Sequence, residues 1–189
     1  MGYFTTAQAA AAGVSPMALV MMAKRGTLER PTTGVYRLAD FPVHPLSQYM
    51  QASLWPYRRP GVLSHETALS LYGLSDVSPA KVHITVPADF RIQRQVPGYM
   101  AIHHGELLDE DVTRLEGMPI TTPARTIRDC ISVSIGPALI RQAIDEGRRG
   151  GRLSGLAAAD LEHALGAAGG CGLAVGQDGG DERGRRRTR

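Results

Sequence analysis

Cysteine is almost absent from this sequence. Cys130 falls in a helical pattern and Cys171 in a glycine-rich stretch, too far apart and too unlike in setting for a disulfide framework or a zinc site with paired-ligand spacing. A reducing compartment fits. No apolar run approaches the length that spans a bilayer, and Met1–Thr5 lacks the basic start and apolar core of a secretory signal. The expectation is a cytoplasmic protein with no membrane partner. Nothing in the sequence has Ser-His-Asp spacing, a glycine loop that cradles phosphate, or paired carboxylates for a metal. No catalytic residue, metal ligand or cofactor is therefore expected. Aromatic residues are scarce at 5%, but a hydrophobic share of 43% and a charged share of 21% are those of a soluble globular chain and exclude disorder throughout.

What charge there is lies unevenly. The net charge is only +3, yet residues 1–60 carry six cations (Lys24, Arg25, Arg30, Arg37, Arg58, Arg59) against two anions (Glu29, Asp40). The front third is the basic part, the end suited to a polyanion. A second surplus closes the chain, where Arg183, Arg185, Arg186, Arg187 and Arg189 face Asp181 and Glu182.

With 189 residues the chain has room for a small domain followed by a medium one. Thr5 stands where it caps a helix that stops at Gly13, and after a tight turn Ser15 caps a second, with Pro16 at its first position and Gly26 beyond Arg25. Leu28–Pro31 and Val35–Leu38 flank a Thr32-Thr33-Gly34 turn and read as a hairpin. Helix, tight turn, capped helix and hairpin is the order of a winged helix-turn-helix, whose second helix lies in the major groove. Pro42–Pro45 reads as a linker. Beyond it, Leu46, Tyr49, Met50, Ser53 and Leu54 recur at helical spacing, and Ser64 stands to cap a helix that ends at Gly73. Val82–Val86 and Tyr99–His103 alternate as strands with one buried face, and a third β element turns at Glu116-Gly117. Thr122 is placed to cap, and Pro123 to start, a helix with Ala124, Ile127 and Ile131 inward. Leu139, Ile140, Ala143 and Ile144 mark another, Ala157–Leu165 a last one, and from Gly166 the composition is too poor in apolar residues to order itself. The expected class is α+β: a winged helix-turn-helix over residues 1–41, a mixed α+β domain over 45–165, and a disordered Gly/Arg-rich tail over 166–189.

With these elements in place, the sequence resembles the AbiEi-type antitoxins of abortive-infection systems, winged-helix repressors paired with nucleotidyltransferase toxins. The likeness is carried by Gly2-Tyr3-Phe4-Thr5-Thr6-Ala7-Gln8-Ala9, by Arg25-Gly26-Thr27-Leu28-Glu29-Arg30 with Gly34-Val35-Tyr36-Arg37-Leu38, and by Leu63-Ser64-His65-Glu66-Thr67-Ala68-Leu69 with Tyr72-Gly73-Leu74-Ser75-Asp76. Val82-His83-Ile84-Thr85-Val86-Pro87 and Pro119-Ile120-Thr121-Thr122-Pro123-Ala124-Arg125-Thr126-Ile127-Arg128-Asp129 extend it to roughly residues 2–165. The resemblance implies a non-enzymatic, two-part protein. Its front would bind double-stranded operator DNA and repress its own operon, while its rear would oppose, directly or indirectly, a cognate nucleotidyltransferase toxin. Members usually carry a further helix ahead of the segment matching Gly2–Thr5. The expectation is thus an upstream start or a reader fold one helix short.

With Ala18, Leu19, Met22 and Ala23 turned inward, the second helix presents Met17, Val20, Met21, Lys24 and Arg25. Three apolar side chains touch a thymine methyl but do not read hydrogen-bonding edges, so phosphate contacts should dominate. Hydroxyls, amides and cations at Thr5, Thr6, Gln8, Ser15, Lys24, Arg25, Arg30, Thr32, Thr33 and Arg37 are the candidates for holding the backbone.

Other features have a plain reading beside a functional one. A front domain that only packs against a partner is weaker than DNA binding, given the local charge. His65-Glu66, His83 and His103-His104 invite a metal or nuclease site, but Glu66 suits a helix start and strand histidines commonly sit at a surface. Glu106, Asp109, Glu110, Asp111 and Glu116 form either a phosphate mimic toward a basic toxin or, more simply, a solvated loop. Arg125 and Arg128 are either partner contacts or internal pairs with Asp129 or that loop. The arginine tail reads as having no specific role. Two rival functions remain, a stand-alone winged-helix regulator without a toxin and an inactive relative of a winged-helix endonuclease fusion.

Overall fold

In the first forty residues the elements form where local chemistry dictates. A computed structural model describes residues 2–56 and 59–170, with the side chains of 169 and 170 excepted. Helix α1 (Thr6–Ala11) starts at a reciprocal cap: the Thr5 hydroxyl accepts from the Gln8 amide at 3.1 Å, and the Gln8 side chain accepts from the Thr5 amide at 2.7 Å. Helix α2 (Pro16–Lys24) starts at Ser15, whose hydroxyl accepts from the Ala18 amide at 3.2 Å. Strands β2 (Leu28–Thr32) and β3 (Val35–Leu38) form the expected hairpin, turning at Gly34 with φ +82°. Their register slips between Glu29 and Thr32, around Pro31, which has no N–H to give the ladder.

The periodicity did not disclose β1 (Tyr3–Thr5), which pairs antiparallel with β3 and makes a three-stranded sheet in the order β1-β3-β2. Three residues are too short to show an alternation. Ala9, Leu19, Leu28 and Tyr36 close a small core between this sheet and the two helices, flanked by Phe4, Val14, Met22 and Ala23.

Helix α3 (Ser47–Leu54) follows the Pro-rich segment and touches β1, where Gln51 Nε2 donates to the Tyr3 hydroxyl at 3.2 Å. A five-stranded mixed sheet then runs β6-β5-β4-β8-β7. Its strands are β4 (Val62–Leu63), β5 (Val82–Val86), β6 (Met100–His104), β7 (Val112–Leu115) and β8 (Met118–Thr121). Strand β4 is only two residues long and gave no sequence signal. It nonetheless sits at the centre, antiparallel to β5 and parallel to β8. Strands β5 and β6 pair in parallel, and β7 and β8 form a hairpin. Leu63, Val82, Ile84, Met118 and Ile120 bury against Ala52, Trp55 and Ala68 of the helical layer.

The remaining helices are α4 (His65–Tyr72), α5 (Pro123–Ser132), α6 (Pro137–Arg149) and α7 (Gly155–Gly170). Leu69, Ile127, Cys130, Ile140, Ile144 and Leu161 share a third core among them. Ile127, Ile131, Ile140, Ala143 and Ile144 are buried as their spacing predicts, whereas Ala124 and Leu139 are only partly covered. Burial pushes the Cys130 thiol well above its ordinary range, which leaves it unreactive. The whole is mixed α+β, with seven α-helices and two sheets among the described residues.

Several local expectations need correction. Ser64 and Thr122 precede α4 and α5 but make no side-chain cap; the Ser64 hydroxyl instead accepts from Thr85 Oγ1 at 2.8 Å. Helix α7 does not end at Leu165 but runs on to Gly170, carried past the poor helix formers Gly166, Gly169 and Gly170 by a helix already seated through Ala158 and Leu161. The expected tail lies, from 171 onward, outside the described residues, as do Arg58 and Cys171.

Candidate nucleic-acid interface and the histidine cluster

Helix α2 turns Leu19 wholly inward, at 1% exposed, and leaves Ala18, Met22 and Ala23 partly covered. Its other face shows Met17 at 71% exposed, Met21 at 42% and Val20 at 37%, beside exposed Lys24 and Arg25. An apolar strip of this kind beside two cations is suited to groove walls and phosphates more than to base-edge hydrogen bonds. No carboxylate of the described residues ion-pairs with Lys24, Arg25 or Arg30.

The structure brings most of the sequence-derived candidates to the surface, but not all. Gln8, Ser15, Lys24, Arg25, Arg30 and Thr33 are exposed, and Thr6 and Thr32 are half-buried. Gln8 and Ser15 already spend an oxygen on helix caps. Thr5 is 4% exposed and committed to the α1 cap. Arg37 is 5% exposed; its guanidinium pairs with Glu29 at 2.8 Å and donates to the Phe41 carbonyl. Both side chains are buried on the face of the sheet opposite Tyr36 and committed to partners there, so neither is free to hold a phosphate. Pairing of β1 and β3 is what buries them, and β1 was the element the sequence concealed.

A second constellation forms in the rear. The strand histidines were expected at a surface; His104 is exposed there, but His83 and His103 are partly covered by α4. His65 is 6% exposed, and its ring stacks on His103 with centroids 3.6 Å apart and planes 14° from parallel. His83 Nδ1 lies 3.0 Å from His103 Nε2, so one nitrogen donates and the other accepts. The His65 Nδ1 sits 2.9 Å from the Ser64 hydroxyl, and His83 Nε2 lies 3.9 Å from Glu66. His65 also holds φ at +52°, unusual for a side chain of its size. Burial, then the neighbouring His103 and His83, hold the His65 imidazole near pKa 3. Burial and then His83 hold His103 near 4. Burial lowers His83 too, against the opposing pull of Glu66. Burial favours the neutral imidazoles, and a proton on whichever nitrogen accepts in the His83–His103 contact would also set two donors face to face.

Beside it, Arg125 Nε donates to Asp129 at 2.7 Å, its Nη1 to Asp111 at 2.6 Å, and its Nη2 to the Glu106 carbonyl. Arg125 is therefore an internal clamp between α5 and the acidic loop. Burial raises the Asp129 carboxyl, with Arg125 opposing. Glu106, Asp109, Glu110 and Glu116 stay exposed. Among the described residues no three histidine, cysteine or carboxylate groups converge as metal ligands, and no helix is long and apolar enough to cross a membrane. Packing brought these histidines together from α4, β5 and β6; the one signal in the sequence was that His83 and Thr85 share parity on β5, as Ala101 and His103 do on β6.

With the geometry of the front lobe established, its likeness to known proteins is informative. Residues 1–39 match a family model described as "Transcriptional regulator, AbiEi antitoxin". The matched segment is the three-stranded sheet with α1 and α2, and it ascribes a regulator type to that end of the chain. No curated protein matches the sequence. The fold as a whole is similar to the crystal structure of RV2827C protein from Mycobacterium tuberculosis, with a TM-score of 0.54 at 15% identity over 89% of this chain and 73% of that one. At that identity the likeness concerns the fold.

Proposed function

We propose that the front lobe is a winged helix-turn-helix that binds operator DNA, and that the chain is a non-enzymatic, cytoplasmic antitoxin that represses its own operon. Helix α2 lies in the major groove, with Lys24 and Arg25 at its end and the β2–β3 hairpin as the wing. Backbone contacts come from Thr6, Gln8, Ser15, Lys24, Arg25, Arg30, Thr32 and Thr33. Thr5 and Arg37 serve the lobe's own structure. The rear part, from about residue 45, opposes a nucleotidyltransferase toxin encoded beside it. The observation that carries this reading is the unpaired cationic end of α2 within a segment that matches an antitoxin regulator model.

The test is a salt titration of full-length protein on its own promoter. Replacing Lys24 and Arg25 with alanine removes two phosphate contacts, so the slope of log K against log salt should flatten by about 1.8. An unchanged slope would refute the assignment. A stand-alone regulator is the second reading, favoured by the confinement of the family match to residues 1–39. The neighbouring gene decides between them: a nucleotidyltransferase whose growth arrest this chain relieves on co-expression supports the antitoxin, and failure to relieve it leaves the regulator alone.

A further inference from the structure

Seven methionines stand in the sequence, and burial divides them sharply. Met100 and Met118 lie in the rear core, at 3% and 0% exposed. Met22 and Met50 are partly covered, Met22 against the small core of the front lobe and Met50 against the core of the rear sheet. Met1 falls outside the described residues. Among the described residues only Met17 and Met21 are exposed methionines, and both belong to α2. They stand one helical turn apart, so their two thioethers share one face.

A thioether reacts with a hydroperoxide as a nucleophile. The sulfur lone pair attacks the distal peroxide oxygen, the S–O bond forms as the O–O bond breaks, and the leaving oxygen takes a proton to become water or an alcohol. Sulfur is oxidised by two electrons and the peroxide is reduced by two. Reaction depends on access to the sulfur, so the covered methionines are shielded while Met17 and Met21 react first. The Cys130 thiol does not compete, because burial keeps it protonated and out of reach. The product replaces a flexible apolar side chain with a polar, chiral sulfoxide. Neither exposed methionine belongs to the core of the lobe, where α2 is anchored by Leu19. Oxidation therefore changes what the helix presents while the lobe stays folded.

We propose that Met17 and Met21 are a reversible oxidation site, at which a hydroperoxide weakens the hold of α2 on its operator. The inference rests on the DNA-binding reading of the front lobe and adds a mode of regulation to it. The strip of Met17, Val20 and Met21 makes apolar contacts, of the kind a thymine methyl offers. A sulfoxide oxygen is hydrated and must lose its water to lie against such a surface. Lys24 and Arg25 keep their charge, so the phosphate contacts persist. What is lost is the part of binding that depends on sequence.

The test uses full-length protein, its own promoter duplex and an unrelated duplex. Graded hydrogen peroxide should add one oxygen each to Met17 and Met21, read by peptide mass spectrometry, before Met22, Met50, Met100 or Met118 changes. Promoter affinity should then fall roughly fifteenfold, from a factor of about four for each thioether methyl withdrawn from an apolar contact. The salt slope, the affinity for the unrelated duplex and the Tm should all stay where they were. Methionine sulfoxide reductases A and B, supplied with a dithiol, should restore promoter binding. Met17→Leu with Met21→Leu should hold its own promoter affinity unchanged through the same peroxide treatment. That variant retains Met1 and Cys171, so sensitivity that persists in it overturns the proposal. Oxidation spread evenly over the methionines overturns it as well, and so does a fall in affinity accompanied by a lower Tm, which would mark unfolding of the lobe. Reduced protein with no affinity for the promoter at low salt removes the front-lobe reading itself. Reduced and doubly oxidised proteins that bind the promoter equally well remove only the oxidation site.

Discussion

Acidifying the protein from pH 7 to pH 5 should destabilise it through the stacked histidines. In the unfolded chain each imidazole has its ordinary pKa of about 6.5 and takes up most of a proton over this interval. In the folded chain His65, held near 3, and His103, held near 4, remain neutral. The unfolded state then binds more protons, so the stability that these groups lend is full above about pH 6.5 and drains away as the pH falls toward 4. Each group accounts for about 2 kcal/mol between pH 7 and pH 5, or about 4 kcal/mol together, since one pKa unit is worth about 1.4 kcal/mol. For a chain of this size that corresponds to a fall in Tm of roughly 8–15 °C. The neighbouring charges are Arg125 beside His65, Glu66 and Lys81 beside His83, and His104 beside His103. The same groups are present in the variant, so the difference between profiles isolates the stack. Thermal unfolding of wild type and of His65→Asn with His103→Asn, each followed from pH 7.5 to 4.5, measures it. The variant should lose most of the acid sensitivity. Parallel profiles would show that the imidazoles are not held neutral by their burial, and the account of the cluster would fall.

Thr5→Ala should lower stability by about 1 kcal/mol through loss of the α1 cap while leaving the salt dependence of promoter binding unchanged; a flatter slope would return Thr5 to the DNA interface. Arg125→Ala leaves Asp111 and Asp129 half-buried without their shared partner, and denaturant unfolding should show a loss of about 2–4 kcal/mol. A loss below half a kcal/mol would mean that the clamp is no more than a surface pair.

Much of the front lobe was legible because its causes are local. Ser15 before Pro16, Gly34 at a turn needing positive φ, and Leu19 among outward Met17, Val20 and Met21 are facts about neighbours in sequence. The rear histidines were illegible for the opposite reason. A histidine on an alternating strand looks solvent-facing until another layer covers it, and the cover here is α4, whose first residue, His65, stacks on the ring of His103. Ser64 and Thr122 show the same limit, since a hydroxyl next to a helix start caps it only if no better partner arrives from elsewhere. For Ser64 that partner was Thr85.

By itself, then, the sequence determined the periodic helices, the hairpin and the basic character of the first sixty residues, because each depends on spacing, turn geometry or composition within a short stretch. Only tertiary structure decided that Thr5 and Arg37 are buried and that three imidazoles share one neutral cluster. Those outcomes hinge on strand pairings and on contacts between segments tens of residues apart. Such contacts set which side chains lose water and which charges meet, and no local pattern carries that information.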